Sequence, residues 1–170
     1  MVVCGGPLGI FVATLLLVKE PNIKVAVTEE GSLKDRYQEW NISMKEISEL
    51  VKLEILTLEE VDIAIKKDFP EYSYKNRESF NREVINLRGA PSVFIEKAST
   101  RFTKLGGTIF ENQPLRGIVI SDLNGVALDV GKDEKLLTSR MIIDCMGNAS
   151  PISKQQQCQL KPNGVCAVVG

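Results

Sequence analysis

From Met1 to Val18 the chain carries no charged side chain, and its apolar run is interrupted only by Cys4-Gly-Gly-Pro-Leu-Gly9. Such an opening is either a membrane or secretory segment or the first unit of a buried α/β fold. A secretory signal wants a positively charged stretch before its apolar run, and here no Lys or Arg precedes Lys19. A membrane span needs about 20 consecutive apolar residues, which Gly-Gly-Pro denies it. The residues that follow fit the second unit. Val2 and Val3 begin a buried strand, Cys4 to Gly9 form a turn, and Ile10 to Val18 continue as an apolar helix. Lys19-Glu-Pro-Asn22 stops that helix, because proline cannot continue it. Ile23 to Thr28 then reads as a second strand, closed by Glu29-Glu-Gly31.

Strand, glycine turn, helix and strand in this order make the βαβ unit of dinucleotide binding. Gly6 lets the backbone approach a pyrophosphate that a side chain would exclude. Gly9 lets the helix start pack against the strand, and Ala13 keeps the helix close to the sheet. The helix N-terminus offers N–H groups and positive dipole to phosphates. Glu29, about twenty residues after Gly9, is placed to accept hydrogen bonds from a ribose diol. One position departs from G-x-G-x-x-G: its first glycine is Cys4, and Gly5 beside it takes over the awkward dihedrals. A structural βαβ with an incidental glycine turn uses the same residues and stays open.

The 170 residues suffice for one ordinary domain, and a net charge of −1 gives no electrostatic case for nucleic acid or anionic membranes. The chain has no histidine, which excludes Ser-His-Asp and Cys-His catalysis and every His-containing zinc site. Cys4, Cys145, Cys158 and Cys166 contain no C-x-x-C pair, so neither a metal site nor a disulfide framework is expected.

Residues 32–40 are polar and read as a loop. Ser43-Met-Lys-Glu46 and Thr57-Leu-Glu-Glu60 are capping boxes opening helices to about Lys52 and Lys67, with Ile47, Leu50, Val51, Val61 and Ile65 at core spacing. Residues 68–83 interleave aromatics and charges and read as an exposed insertion or substrate-side segment. Pro91-Ser92 begins a helix ended by Gly106-Gly107, and a short strand spans Thr108 to Glu111. From Arg116 the period becomes two. Gly117–Asp122, Gly125–Val130 and Leu136–Ile143 form an antiparallel meander, with Asn124-Gly125 as a tight turn. Met141 to Ser150 makes a buried strand followed by a glycine turn. The expected fold class is α/β: a Rossmann-like βαβ domain with inserted helices (43–67) and an antiparallel β-meander (116–143).

Taken together, these features resemble the FAD-binding part of flavoprotein oxidoreductases with the para-hydroxybenzoate hydroxylase type fold. That group includes geranylgeranyl reductases, lycopene cyclases and aromatic monooxygenases. Gln38-Glu-Trp-Asn-Ile-Ser43, Leu105-Gly-Gly-Thr-Ile-Phe-Glu111, Ile143-Asp-Cys-Met-Gly-Asn-Ala-Ser-Pro151 and Lys161-Pro-Asn-Gly-Val-Cys166 are similar to plant and cyanobacterial FAD-dependent oxidoreductases. The resemblance implies FAD as cofactor, with NAD(P) as a candidate electron donor. Gly5, Gly6, Pro7, Leu8 and Gly9 would then cradle the pyrophosphate, Glu29 the adenosine ribose, and the Leu115 backbone the adenine. Arg36 lies in the loop that often carries a flavin-contacting arginine, and Gly147 and Ser150 match a Gly-x-x-Ser turn. Cys145-Met146 stands where that motif has Ala-Asp, so the aspartate's role is missing. No catalytic residue is matched.

The resemblance further implies a small-molecule substrate, isoprenoid or aromatic, and a chloroplast location. It also implies that the chain is an N-terminal fragment: residues 1–150 form the FAD-binding domain, and residues 151–170 begin a substrate-domain segment ending in a strand at Val165 to Val169. Other readings remain: an NAD(P)-binding dehydrogenase domain, or a non-catalytic remnant of a flavoprotein. Glu29 as a solvated strand end, Arg36 as an ordinary loop charge, Gly147 as a turn residue alone and Cys145 as a small buried residue are the simpler alternatives at single positions.

Overall fold

The computed structural model describes residues 1–33, 40–68, 84–87, 90–121, 125–130, 135–147 and 150–157. The first elements are β1 (Val2–Cys4), α1 (Gly6–Lys19), β2 (Ala26–Thr28), β3 (Trp40–Ser43), α2 (Met44–Lys52), α3 (Leu58–Asp68) and β4 (Val84–Leu87). They are followed by α4 (Ala90–Lys104), β5 (Thr108–Phe110), β6 (Leu115–Ser121), β7 (Gly125–Val130), β8 (Lys135–Ser139), β9 (Ile142–Asp144) and α5 (Pro151–Gln157).

Four strands form an all-parallel sheet in the order β5-β2-β1-β9. Its register is level: Cys4 pairs with Thr28 and Asp144, and Thr28 with Phe110, so all four strands end along one edge. Successive side chains point to opposite faces. Val3 and Val27 join the main core with α1 and α4, whereas Val2 and Cys4 face Leu115, Leu137 and Met146 on the other side.

The helix α1 explains the uncharged opening. Ile10, Ala13, Thr14 and Leu17 are fully buried, and the Thr14 hydroxyl reaches the Ile10 carbonyl at 2.7 Å and the Ala98 carbonyl of α4 at 3.3 Å. The helix begins at Gly6 rather than Ile10, so the turn is shorter than the glycine pattern implies. Pro7 permits this, since a first-turn proline lacks only an N–H that has no intrahelical partner. Its 14 residues span about 21 Å, short of the ~30 Å hydrocarbon core of a bilayer. Among the described residues no helix is long and apolar enough to cross a membrane.

Both capping boxes form. The Ser43 hydroxyl accepts from the Glu46 N–H at 3.2 Å while the Glu46 carboxylate accepts from the Ser43 N–H at 2.7 Å, and Thr57 and Glu60 repeat the exchange at 3.2 and 2.8 Å. Helix α4 ends in a Schellman turn: the Gly107 N–H bonds the Phe102 carbonyl and the Gly106 N–H that of Thr103, both at 3.0 Å, with Gly106 at φ 90°. A Cβ at Gly107 would lie 2.3 Å from Phe102 Cζ, a clash with a fully buried ring, so packing favours glycine here.

Three differences from the sequence reading stand out. Strands β3 and β4 pair antiparallel, Trp40 with Leu87 through Ser43 with Val84, although neither has a sequence signature. The second strand of the βαβ unit is only Ala26–Thr28: Ile23 still belongs to the turn leaving α1, its N–H bonding the Glu20 carbonyl, and Lys24 and Val25 lead from it into the sheet. The run Leu136–Ile143 is two strands rather than one. The Ser139 hydroxyl bonds both the carbonyl and the N–H of Met141, and this local turn breaks the run. β8 stays in the three-stranded meander β6-β7-β8 and β9 crosses into the parallel sheet. Arg36, most of residues 68–83 and residues 158–170 lie outside the described residues, including the strand expected at 165–169.

Candidate functional site

The loops leaving the level edge of the sheet, after β1, β2, β5 and β9, enclose a cavity of about 310 Å³. Gly5 and Gly6 line it from the first loop, Glu29 and Glu30 from the second, Leu115 from the third and Met146 from the fourth. From β1 the chain steps outward to β2 and β5 on one side and later places β9 on the other. In open α/β sheets this reversal leaves a crevice beyond the carboxyl ends of the strands, where ligands bind.

The turn is built by two glycines. Gly5 has φ 73° and ψ 150°, a region open essentially to glycine alone, and Gly6 has φ 74°. Cys4 is a regular residue of β1, so the missing first glycine leaves no strain behind it. A Cβ at Gly9 would lie 3.4 Å from Val3 Cγ1 and 3.6 Å from Cys145 Cβ, an ordinary contact distance. Helix and strand are close there, yet an alanine fits.

The first turn of a helix leaves four N–H positions without intrahelical partners. Here Gly5 donates to the Thr28 carbonyl at 2.9 Å, Gly6 donates to Glu29 Oε2 at 2.5 Å, and Pro7 has no N–H. Of the four, the Leu8 amide is the one left for an outside anion, so the helix offers phosphates less than its sequence suggests. Glu29 itself is 3% exposed. Its N–H donates to the Phe110 carbonyl and its carbonyl accepts from Gln113, both at 2.9 Å, which fixes its backbone between β5 and the loop leading to Leu115. A carboxylate buried this deeply requires hydrogen-bond donors, and the head of α1 supplies one.

The opposite wall depends on a residue that the sequence reading passed over. Asp144 Oδ1 accepts from the Met146 N–H at 3.0 Å, and Asp144 Oδ2 accepts from the buried Ser150 hydroxyl at 2.5 Å. Ser150 in turn caps α5, accepting from the Ile152 and Ser153 N–H groups at 3.1 Å each. With the Cys145 N–H on the Cys4 carbonyl at 2.8 Å, this holds Met146 across Gly5, whose Cβ position lies 2.9 Å from Met146 Cγ. An aspartate at a strand end, two residues before the backbone N–H it accepts from, is a recognisable turn signal that could have singled out Asp144.

Burial pushes the Cys4 thiol up; a hydrogen bond with Thr28 pulls it back in part, and the Asp144 and Cys145 charges add to the rise. Burial and then Asp144 raise Cys145 as well. Both therefore remain protonated near neutrality; Cys4 behaves as a small buried side chain, whereas Cys145 is half-buried.

Of the residues singled out in the sequence, Gly5, Gly6, Glu29 and Leu115 meet at one cavity. Pro7, Leu8 and Gly9 form the first turn of α1 and are not among the residues lining that cavity, with Leu8 exposed to solvent. Gly147, at φ 61°, turns the chain immediately after Met146. Among the described residues no group of three or more potential ligands is placed to hold a metal ion.

No protein-family model matches the sequence, and no curated protein matches it. Solved structures do share the fold. The crystal structure of FqzB superposes with a TM-score of 0.66 at 12% identity, over 93% of this chain and 38% of that one. The Diels–Alderase PyrE3 of pyrroindomycin biosynthesis gives 0.64 at 14% identity, over 91% and 33%. The halogenase PltM in complex with phloroglucinol and FAD gives 0.62 at 15% identity, over 91% and 35%. The chain thus spans about a third of the length of the structures it resembles, and it shares its mixed α/β fold with them, PltM among them with FAD bound.

Proposed function

We propose that this chain is the FAD-binding portion of a flavin-dependent oxidoreductase acting on a small organic substrate, isoprenoid or aromatic. The observation that carries this is the convergence of the Gly5–Gly6 turn, Glu29 and Leu115 at one cavity, beyond the carboxyl ends of four parallel strands. The FAD held by PltM, a neighbour in fold, supports the choice of dinucleotide.

The residues present fit the nucleoside end of that cofactor. A cavity of about 310 Å³ is at the small end of the range for small-molecule sites, roughly 300–1,000 Å³, and suits an adenosine rather than a whole flavin dinucleotide. Glu29 would meet the ribose, the Leu115 backbone the adenine, and Gly5 to Gly9 would lie along the diphosphate, with the Leu8 N–H directed to it. Gly147 would keep the β9–α5 turn close to the cofactor, and Arg36 would approach the flavin. The bound flavin would supply the electron and hydride chemistry. The chain's own contribution is to position the cofactor and shield its nucleoside end. NAD(P) enters this scheme as the electron donor. On the resemblance to plant proteins we also assign the protein to the chloroplast, which a fluorescent fusion found outside plastids would refute.

The decisive experiment mixes the chain with excess FAD, removes free flavin by gel filtration and records the protein peak at about 350–500 nm, where oxidised flavin absorbs. We expect flavin to co-elute with the protein. A folded but colourless peak, or tighter binding of NAD than of FAD, would overturn the proposal.

A further inference from the structure

The cavity of about 310 Å³ suits an adenosine, yet a dinucleotide laid along Gly5–Gly9 needs room past the glycine turn. One side chain stands there. Met146 lines the cavity together with Gly5 and Gly6. The position a Gly5 Cβ would take is 2.9 Å from Met146 Cγ, 3.6 Å from its Cα and 3.7 Å from its Cβ, so the thioether arm starts out flat against the residue that has no side chain of its own. The base of that arm is fixed. The Cys145 N–H bonds the Cys4 carbonyl at 2.8 Å, and the Met146 N–H bonds Asp144 Oδ1 at 3.0 Å. The arm itself is unbranched and free to rotate, and it is half-buried beside Val2 and Cys4 rather than locked in the main core. Gly147 follows, where an added Cβ would meet no described atom within 4 Å. Met146 is therefore a movable side chain on an immobile backbone.

We propose that Met146 gates the diphosphate end of the cavity and so decides between a nucleoside and a dinucleotide. Resting on Gly5, its side chain closes the cavity down to an adenosine-sized space. Swung off Gly5, it lets a diphosphate run along Gly5–Gly9. This rests on the nucleotide-site reading above and deepens it, because it accounts for a cavity smaller than the dinucleotide assigned to it. Adenosine binds with the gate closed, whereas FAD draws only on the open form. A gate open about a tenth of the time holds the apparent affinity for FAD about tenfold below that of an open site.

The test titrates adenosine and FAD into the full chain, Met146→Ala and Met146→Ile by isothermal titration calorimetry. Alanine removes the arm, so the affinity for FAD relative to adenosine is expected to rise about tenfold. Isoleucine keeps the bulk but is stiff at χ1, so it stays on Gly5 and the same ratio is expected to fall. An unchanged ratio in either variant, or a change in the opposite direction, would overturn the inference. An equal loss for both ligands, as a purely structural wall would give, leaves the ratio where it was and overturns it too. Should Met146→Ala fail to fold, Met146→Ile, which nearly conserves the side-chain volume, carries the test alone. If neither adenosine nor FAD binds the unmodified chain or either variant, the nucleotide-site reading itself falls and this inference with it; binding with the ratio unmoved sinks only the inference.

Discussion

At the scale of single residues, the glycines of the opening turn separate into two kinds. Gly5 has backbone dihedrals that other residues rarely adopt, and the position its Cβ would take is 2.9 Å from Met146 Cγ. Gly5→Ala should therefore cost about 1–3 kcal/mol from backbone strain, with a further loss as Met146 is pushed toward the cavity. Gly9 has ordinary contact distances around its missing side chain and sits inside a helix. Gly9→Ala should leave stability within about 0.5 kcal/mol of the parent, because improved helix propensity offsets closer packing. Urea denaturation of the two variants distinguishes them, and equal losses would contradict this division. Both glycines are legible in the sequence as a motif. Which of them the backbone cannot do without is not legible, because that depends on dihedrals and on Met146, distant in the chain.

At the scale of elements, local hydrogen bonding decides where helices begin. The Ser43–Glu46 exchange joins a backbone N–H to a carboxylate three residues on, so a four-residue pattern was enough to place the start of α2. Backbone and side-chain hydrogen bonds from Ser43 hold the Glu46 carboxyl below its ordinary value of 4.5. A depressed carboxylate stabilises the folded form above its unfolded value, and this is lost as pH falls through the folded value. Hydrogen exchange at the Ser43 amide should accelerate, relative to neighbouring helical amides, as pH falls below the ordinary carboxylate value of 4.5, and Glu46→Ala should abolish that change. A protected Ser43 amide throughout would exclude the capping box as its cause. Strands behave differently. The β3–β4 pair is held by residues on either side of two helices, and β9 leaves the meander because Ser139 closes a turn on Met141. The β3–β4 pairing has no local signal to be read, and the Ser139 turn marks only where β8 stops, not which strand β9 joins.

For the whole molecule, stability depends on the helical layer packed against one face of the parallel sheet. Phe94 and Phe102 of α4 are fully buried, and the Phe102 ring fills the space that Gly107 leaves open where α4 turns into β5. Phe102→Ala should lower unfolding free energy by about 3–5 kcal/mol, a large part of the roughly 5–15 kcal/mol of an ordinary domain. The same chemical change at the exposed Val119 or Ile120 of β6 should move the urea midpoint little. Comparable losses at all three positions would mean that the meander face is buried in solution. The cavity belongs to this scale too, because it exists only where four strands end level and their loops meet.

By itself the sequence determined the βαβ opening, the two capped helices, the Schellman end of α4 and the three-strand meander. Each rests on spacing within one or two turns of chain, where periodicity and caps act. The tertiary structure alone decided the order β5-β2-β1-β9, the β3–β4 pair, the packing of Met146 against Gly5, and the use of the Gly6 N–H by Glu29. The physical reason is common to all of these. Each joins groups far apart in sequence through burial and hydrogen bonds that exist only once the sheet has assembled, and a chain read residue by residue carries no record of which distant partner satisfies a given donor.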